Sequence, residues 1–292
     1  MTSEQFLERT IRELAGSEAA VESRHGAGGG CINQCEVLEL SGKRRIFIKR
    51  NRSSFSGLFA GEAAGLKTLN QPGAPRVPEV YGFHDDGKTQ IIILEHIDTG
   101  AKEAGFWERF GAELAALHRT SADEGFGFVR DNHIGATEQP NEWRSTWLEF
   151  FAEKRIRFQL DLARKKGRAD AGMVSRGERF IQRIPEILFE PERSSLLHGD
   201  LWGGNYMVDA QGGPVLIDPA VYYGHREADL AMTELFGGFG SRFLAAYHEA
   251  WPLEPGYEER RDAYNLYHML NHLNLFGHSY ASSVNAILSR YS

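Results

Sequence analysis

The sequence predicts an α+β fold of two lobes: a small β-rich lobe with one inserted helix, then a larger, mainly helical lobe. Short strand-like runs separated by turns dominate the first 95 or so residues, whereas helical spacing of apolar residues dominates the remainder. A chain of 292 residues with 41% apolar content can bury a core of this size. We therefore expect an N-terminal lobe over residues 1–95 and a C-terminal lobe over residues 96–292.

The first lobe begins with a helix. Thr2 and Gln5 match a capping box. The apolar face of this helix is expected to contain Phe6, Leu7, Ile11 and Leu14. The other elements predicted here are a hairpin of strands 35–40 and 45–49, a helix over 60–70, and strands 80–83 and 90–95. Ser41-Gly42 would form the turn of the hairpin.

The second lobe is predicted to be helical on both sides of a short β region. Apolar residues recur at helical spacing in three segments, namely 106–117, 147–160 and 266–275. Strand-like runs before residue 200 and at Val215–Ile217 interrupt the helices, and residues 125–135 are expected to form a loop.

Composition excludes several classes of protein. The net charge of −7, without a long basic run, argues against nucleic acid as a partner. No apolar run is long enough to cross a bilayer, and the acidic, helical N-terminus does not resemble a signal peptide, so we expect a cytoplasmic enzyme without a membrane partner. Two cysteines are too few for a disulfide scaffold. Because the net charge is negative, any bound polyphosphate must be neutralised locally, by a lysine, backbone amides and metal ions.

The most informative segment runs from Leu196 to Ala220. His198, Asp200 and Asn205 have the H-x-D-x-x-x-x-N spacing of a kinase catalytic loop, and a short apolar strand then leads to Asp218. Asp200 would accept the proton of a substrate hydroxyl or orient that hydroxyl. Asn205 and Asp218 offer the hard oxygen ligands that Mg²⁺ prefers. The pattern predicts phosphoryl transfer from ATP in a protein-kinase-like fold, with His198 in a structural role.

A glycine-rich segment in the first lobe is a candidate phosphate-binding loop. Its backbone amides belong to Gly28, Gly29, Gly30 and Cys31. The segment is not a Walker A motif, but Lys49 ends the hairpin that follows, where a kinase places the lysine that holds the α- and β-phosphates. Glu62, on the next predicted helix, is the expected partner of Lys49. Taken alone, Lys49 would be interpreted as a solvated lysine at a strand end and Glu62 as a surface glutamate on a helix.

The predicted connection between the lobes is a candidate adenine site. Glu95, His96 and Ile97 follow an apolar strand, and their backbone groups would face the base in a two-lobed kinase. An ordinary strand end is the alternative.

Two positions depart from the protein-kinase pattern. Trp202 stands two residues after Asp200, where protein kinases carry a lysine, and Asp218 is followed by Pro219-Ala220 rather than Phe-Gly. No A-P-E segment follows. These departures favour a small-molecule kinase.

Taken together, the motifs resemble the fructosamine kinase (ketosamine-3-kinase) family, within the wider aminoglycoside phosphotransferase-like group. The segments that carry the resemblance are GGGCI at 28–32, IFIKRN at 46–51, FAGE at 59–62, LHGDLWGGN at 197–205, DPA at 218–220, YGHREADL at 223–230 and FGGF at 236–239. The resemblance implies ATP-dependent phosphorylation of the 3-hydroxyl of ketosamines, such as fructosamine, ribulosamine or erythrulosamine adducts. The 3-phosphate then eliminates and frees the amine, which is a deglycation and protein-repair activity.

The resemblance also suggests residues for the substrate and for control. A protonated secondary amine suits an aromatic face or a carboxylate, which makes Trp202, His225 and Glu227 the candidates for contacts with small or protein-bound glycated amines. The alternative is that Trp202 packs and that His225 and Glu227 brace the catalytic loop. Cys31, beside backbone amides and near Lys49, is a candidate redox switch, against the simpler interpretation of a small loop residue.

Two other functions stay open at this point. One is a kinase for an aminoglycoside, choline or a sugar hydroxyl, and the other is a nucleotide-binding pseudokinase that acts as a scaffold. The chain is expected to be a monomer or a homodimer.

Overall fold

A computed structural model describes residues 1–28, 33–52, 55 and 57–291. Its first part is an antiparallel sheet in the order β1-β2-β3-β5-β4. The strands are β1 (Val21–Gly26), β2 (Gln34–Leu40), β3 (Arg44–Arg52), β4 (Val80–Asp85) and β5 (Thr89–Glu95). The predicted hairpin and the two later strands are confirmed. Strand β1 was not predicted because most of its side chains are exposed and polar, as at the edge of a sheet.

Helices cover both faces of this sheet. Helix α1 (Ser3–Ala15) has the predicted capping box between Thr2 and Gln5 and packs on one face. Helix α2 (Leu58–Leu69) packs on the other. Strand β5 is apolar on both sides, because Ile91 and Ile93 belong to the small core under α1, whereas Ile92 belongs to the large core that contains α2. This explains its unbroken apolar run.

The rest of the chain is mainly helical, as predicted. Its helices are α3 (Phe106–His118), α4 (Trp147–Phe150), α5 (Phe158–Lys165), α6 (Ala171–Ile187), α7 (Glu227–Leu235), α8 (Ser241–Ala250), α9 (Tyr257–Phe276) and α10 (Ala281–Tyr291). A π-helix over Phe151–Arg157 joins α4 to α5, and a 3₁₀ helix over His278–Tyr280 precedes α10. None of the described helices is long and apolar enough to cross a membrane.

Short strands build the region between α6 and α7. Strand β8 (Ser195–Leu197) pairs with β11 (Tyr222–Gly224), and β9 (Tyr206–Val208) pairs with β10 (Pro214–Leu216). The predicted strands before Asp200 and Asp218 are thereby confirmed. A further hairpin, β6 (Asn132–Ile134) with β7 (Thr137–Gln139), begins inside the segment predicted as a loop. Its three-residue strands are too short to show a period.

The α+β class and the succession of a sheet-rich part and a helical part are confirmed. The predicted boundary at residue 95 stays a prediction, because the large core is continuous across it: Phe59 and Leu94 belong to the same buried cluster as Phe110. Helix α2 also approaches β6 closely. A Cβ atom added to Gly61 would lie 2.9 Å from the Cβ atom of Asn132, so a small residue is required at this crossing.

Candidate active site

Three charged side chains meet where β3, α2 and the segment after β10 come together. Lys49 lies in the interior of β3, with its side chain only 7% exposed, and its Nζ donates to Glu62 Oε1 at 2.6 Å. The same ammonium contacts the carboxylate of Asp218. Burial alone would lower the pKa of Lys49, but the charges of Glu62 and Asp218 outweigh it and hold the pKa above its usual value. The lysine is therefore a fixed cation.

Asp200 lies in the loop between β8 and β9, close to Asn205. The Nδ2 of Asn205 donates to the backbone carbonyl of Asp200 at 2.8 Å and to its Oδ2 at 3.1 Å. Burial raises the pKa of Asp200 to about 7, although the hydrogen bond from Asn205 lowers it, and the charges of Asp218 and Asp229 raise it further. A carboxylate with this pKa is suited to accept a proton near neutral pH.

The buried carboxylate of Asp229 holds the backbone of this loop. Asp229, on α7, accepts the backbone N–H groups of His198 at 2.7 Å and Gly199 at 2.8 Å. The Nε2 of His118, at the end of α3, lies 3.3 Å from the same carboxylate. The positive φ of Gly199 (84°) and its close approach to Ala220 O exclude a side chain at this position. Asp229 therefore holds the backbone of the loop that carries Asp200.

His198 is a structural residue, as predicted. Its side chain is fully buried, and its Nε2 lies 2.9 Å from the carbonyl of Ile217, while its Nδ1 accepts the N–H of Asp200 at 3.3 Å. This pattern corresponds to a neutral ring with the proton on Nε2. Burial lowers the pKa of His198, which agrees with that state. The ring thus connects the loop of Asp200 to the strand that delivers Asp218.

Asp218 has an uncommon backbone conformation, with φ of 53°. The preceding residue, Ile217, donates its N–H to the carbonyl of Asn205 at 3.0 Å, so the segment carrying Asp218 is tied to the catalytic loop. The Asp218 side chain remains 47% exposed. Because the amide nitrogen of Asn205 is engaged by Asp200, its oxygen is the atom suited to a cation. A carboxylate and an amide oxygen fit Mg²⁺, which keeps waters and phosphate oxygens as its other ligands.

A cleft of about 850 Å³ opens beside these residues. Its lining includes Gly28, Lys49, Glu62, Glu95, His96, Ile97, Trp202, Asn205 and Asp218. Phe47 and Met207 add apolar surface that sequence reasoning did not single out. The carboxylate of Glu95 pairs with Arg76, which leaves its backbone as the part that can serve the cleft.

A smaller pocket of about 190 Å³ adjoins the cleft and contains Asp200. Lys49, Asn205, Asp218 and Trp202 line both spaces. The arrangement therefore offers one large space for a nucleotide and a smaller one at which a hydroxyl can approach Asp200.

The predicted residues Gly29, Gly30 and Cys31 lie outside the described residues. His225 and Glu227 are described but are not brought to the site. His225 Nδ1 lies 2.7 Å from the hydroxyl of Tyr264, and Glu227 forms a two-point ion pair with Arg260 at 2.6 and 2.8 Å. Both residues are almost fully buried, and neither lines the cleft or the smaller pocket. This placement favours packing and pairing over contact with a substrate.

Sequence reasoning did not identify three buried residues that support the site. His118 is the partner of Asp229, and only its position as a lone histidine on an apolar helix face could have drawn attention to it. Gln139 donates to the carbonyl of Ala220 at 2.9 Å, and Asn132 donates to that of Val221 at 2.8 Å. These amides hold the segment just after Asp218, and nothing in their local sequence indicates that role.

Comparisons with known proteins agree with this geometry. The family model for fructosamine kinase matches residues 3–292. The chain is 39% identical over 287 residues to a "probable ketoamine kinase" of Synechocystis sp., covering 98% of this chain and 96% of that protein. It is 41% identical over 271 residues to the chloroplastic "protein-ribulosamine 3-kinase" of Oryza sativa subsp. japonica, covering 90% and 77%.

Among solved structures, the "putative fructosamine-3-kinase" of Thermobifida fusca matches with a TM-score of 0.86 and 35% identity. The match covers 98% of each chain. The sequence match over the whole length and the shared structure lead to the same conclusion. This chain belongs to the fructosamine kinase family.

Proposed function

We propose that this protein transfers the γ-phosphoryl group of ATP to the 3-hydroxyl of ketosamines, and that the phosphorylated product then releases the amine. The observation that carries the proposal is that Lys49 and Asp218, which form an ion pair, line both a nucleotide-sized cleft and a smaller pocket that also contains the half-buried Asp200. The family supplies the substrate class, since relatives are named as ketoamine and ribulosamine kinases. Fructosamine, ribulosamine and erythrulosamine adducts are the candidate substrates.

In the proposed reaction, Asp200 accepts the proton of the 3-hydroxyl as its oxygen forms a bond to the γ-phosphorus. The bond between that phosphorus and the β,γ-bridging oxygen breaks, and ADP leaves. Lys49, held by Glu62, positions the α- and β-phosphates. Mg²⁺, when bound, would neutralise phosphate charge, and the oxygens of Asn205 and Asp218 are the groups that would hold it.

The backbone of Glu95, His96 and Ile97 is proposed to face adenine at the wall of the cleft, with Gly28 and the glycines that follow it over the phosphates. Trp202 lines the pocket of Asp200 and keeps 39% of its surface exposed. We assign its ring to the amine side of the sugar, where a cation would find an aromatic face.

A single substrate panel tests this function. ADP release would be measured with glycated lysines carrying fructose, ribose or erythrose adducts, beside aminoglycosides and choline, in the presence of Mg²⁺. We expect ADP release with ketosamines only, followed by free lysine. Asp200→Asn, which keeps the size of the side chain, is the matched control and should lose at least about 10³-fold in kcat. ADP release with choline or an aminoglycoside alone would overturn the proposal, as would equal rates in both proteins.

A further inference from the structure

An exposed strip of aromatic side chains starts at the active site and runs over the helical part. Six large apolar side chains are exposed among the described residues, and Trp202, Phe236 and Phe276 are three of them, at 39%, 43% and 54%. Two half-buried rings, His272 and Tyr280, connect them. We call these five residues the aromatic strip. Exposed apolar surface gathered in one place, rather than scattered, marks an interaction site.

The rings of the strip are in contact one after another. The Trp202 and Phe236 centroids are 6.4 Å apart in an edge-to-face arrangement, and Phe236 is 4.9 Å from His272. His272 in turn lies 5.4 Å from Phe276 and 5.1 Å from Tyr280. His272 and Phe276 are four residues apart on α9 and therefore share one helix face. Burial lowers the pKa of His272, so this ring packs as a neutral aromatic group.

Two glycines hold the strip against the catalytic loop. A Cβ atom added to Gly203 would lie 3.1 Å from Gly238 Cα, and one added to Gly238 would lie 2.8 Å from Gly203 Cα. The loop after α7, which carries Phe236, therefore touches the loop that carries Asp200 and Trp202 through the backbone of these glycines as well as through the Trp202 and Phe236 rings. The strip is in this way a continuous extension of the pocket and not a separate surface.

We infer that the aromatic strip binds the polypeptide that carries a protein-bound ketosamine, with its sugar in the pocket of Asp200. This inference rests on the proposed function. A ketosamine on a protein sits at the end of a lysine side chain, so the secondary amine and the methylenes pass over Trp202 as the sugar enters the pocket. Phe236 and the rings beyond it lie farther along the strip, within reach of the residues that neighbour the lysine. A free glycated amino acid has no atoms to place there.

The inference predicts that changes in the aromatic strip affect a glycated peptide but not blocked glycated lysine. Wild-type protein should phosphorylate a glycated peptide with apolar residues beside the lysine at a higher kcat/KM than blocked glycated lysine. Phe276→Ala, alone or combined with Tyr280→Ala, should lower kcat/KM for the peptide about tenfold. The loss should come mainly from a higher KM, because aromatic anchors supply most of the binding energy of such surfaces. For blocked glycated lysine the same variants should match wild type within about twofold. Phe276 is exposed, so its removal should leave the fold intact.

Phe83→Ala is the matched control, since Phe83 is an exposed phenylalanine (41%) on β4, outside the strip. It should change neither substrate. Binding of the glycated peptide to an Asp200→Asn background, measured by calorimetry, gives a readout that does not need turnover. Equal binding with and without Phe276 would overturn the inference, even if ketosamines are phosphorylated. Failure of wild type to phosphorylate blocked glycated lysine and the peptide alike would instead overturn the proposed function, and with it this inference.

Discussion

At the scale of single residues, Asp200 is the proposed catalytic base, and its ionised form is costly for stability. Its carboxylate is half-buried and lies near the negative charges of Asp218 and Asp229, and this burial is the main reason that its pKa rises to about 7. An acid whose pKa is higher in the folded than in the unfolded state favours folding most at low pH. The contribution of Asp200 to the stability of the fold is therefore lost as the pH rises from about 4, the ordinary pKa of an aspartate, to about 7.

The pH dependence of catalysis should follow this titration. If the ionised form of Asp200 is the base, as proposed, kcat/KM should rise about tenfold between pH 6 and pH 8, through a pKa of about 7. Initial rates with saturating ATP over this range would measure it. Lys49 keeps its charge throughout this pH range, because its pKa is raised, so it adds no second titration to the pH profile of kcat/KM. A rate that is flat from pH 6 to pH 8 would contradict the role of Asp200 as a base.

The same residue predicts a stabilised variant. Asp200→Asn removes a buried charge, so its melting temperature at pH 8 should exceed that of wild type by about 2 °C or more, and the difference should shrink toward pH 4. Thermal unfolding at several pH values measures this. Asn205→Ala, which removes a hydrogen bond to Asp200 without removing the charge, is the comparison and should not be stabilised. A lower melting temperature for Asp200→Asn at pH 8 would refute the argument.

At the scale of elements, α7 holds the catalytic loop in position. Burial alone would raise the pKa of Asp229, but the hydrogen bonds from His118 and from the backbone N–H of Gly199 oppose it, and the pKa stays below its usual value. A charged acceptor for two backbone N–H groups is stronger than a neutral one. The helix thus acts on the reaction through His198 and Gly199, which it fixes, and not through contact with a substrate.

Replacement of this acceptor should impair catalysis more than binding. In Asp229→Asn one N–H group loses its acceptor, and we expect kcat to fall about 10- to 100-fold while the KM for ATP changes less than twofold. Steady-state kinetics would measure both. Glu234→Gln is the control on the same helix, since Glu234 also forms hydrogen bonds, to Tyr257 and Arg261, but away from the loop. Equal losses of kcat in the two variants would argue against a specific role for Asp229.

At the scale of the whole molecule, the site joins parts that are far apart in the sequence. Lys49 and Glu62 come from the sheet-rich part, whereas Asp218 belongs to the helical part, and the ion pair between Lys49 and Asp218 joins the two parts beside the cleft. The large apolar core also runs between the two parts, through Phe59 and Phe110. A nucleotide that contacts both walls should therefore stabilise the whole structure.

Nucleotide binding should accordingly raise the melting temperature in a magnesium-dependent way. At ADP concentrations 100-fold above Kd, with Mg²⁺, the stabilisation should be about 2.7 kcal/mol. Differential scanning fluorimetry with and without EDTA would measure the shift. Asp218→Asn should reduce the effect of Mg²⁺, whereas Phe83→Ala should show the full shift. The same ADP-induced shift in EDTA would contradict magnesium binding by Asn205 and Asp218.

Much of the fold was predictable because local signals decide it. The capping box of α1, the turn of the β2–β3 hairpin and the apolar runs of β4 and β5 are properties of neighbouring residues. Strand β1 and the hairpin of β6 and β7 were missed because a polar edge strand and three-residue strands have no period to detect. At the site, Asp200, Asn205 and Asp218 were predictable because short spacings along one segment carry the chemistry.

The sequence by itself determined the reaction class, since the kinase-like loop spacing, the oxygens proposed to bind Mg²⁺ and the departures at Trp202 and Pro219 all lie within 25 residues. Only the tertiary structure decided which distant groups act together. In the structure, Lys49 pairs with Asp218, and Asp229 pairs with His118 beside the loop that carries Asp200. His225 and Glu227 lie outside the cleft and the smaller pocket, where Glu227 pairs with Arg260. The physical reason is that burial and ion pairing depend on packing between elements, which no local pattern of residues encodes.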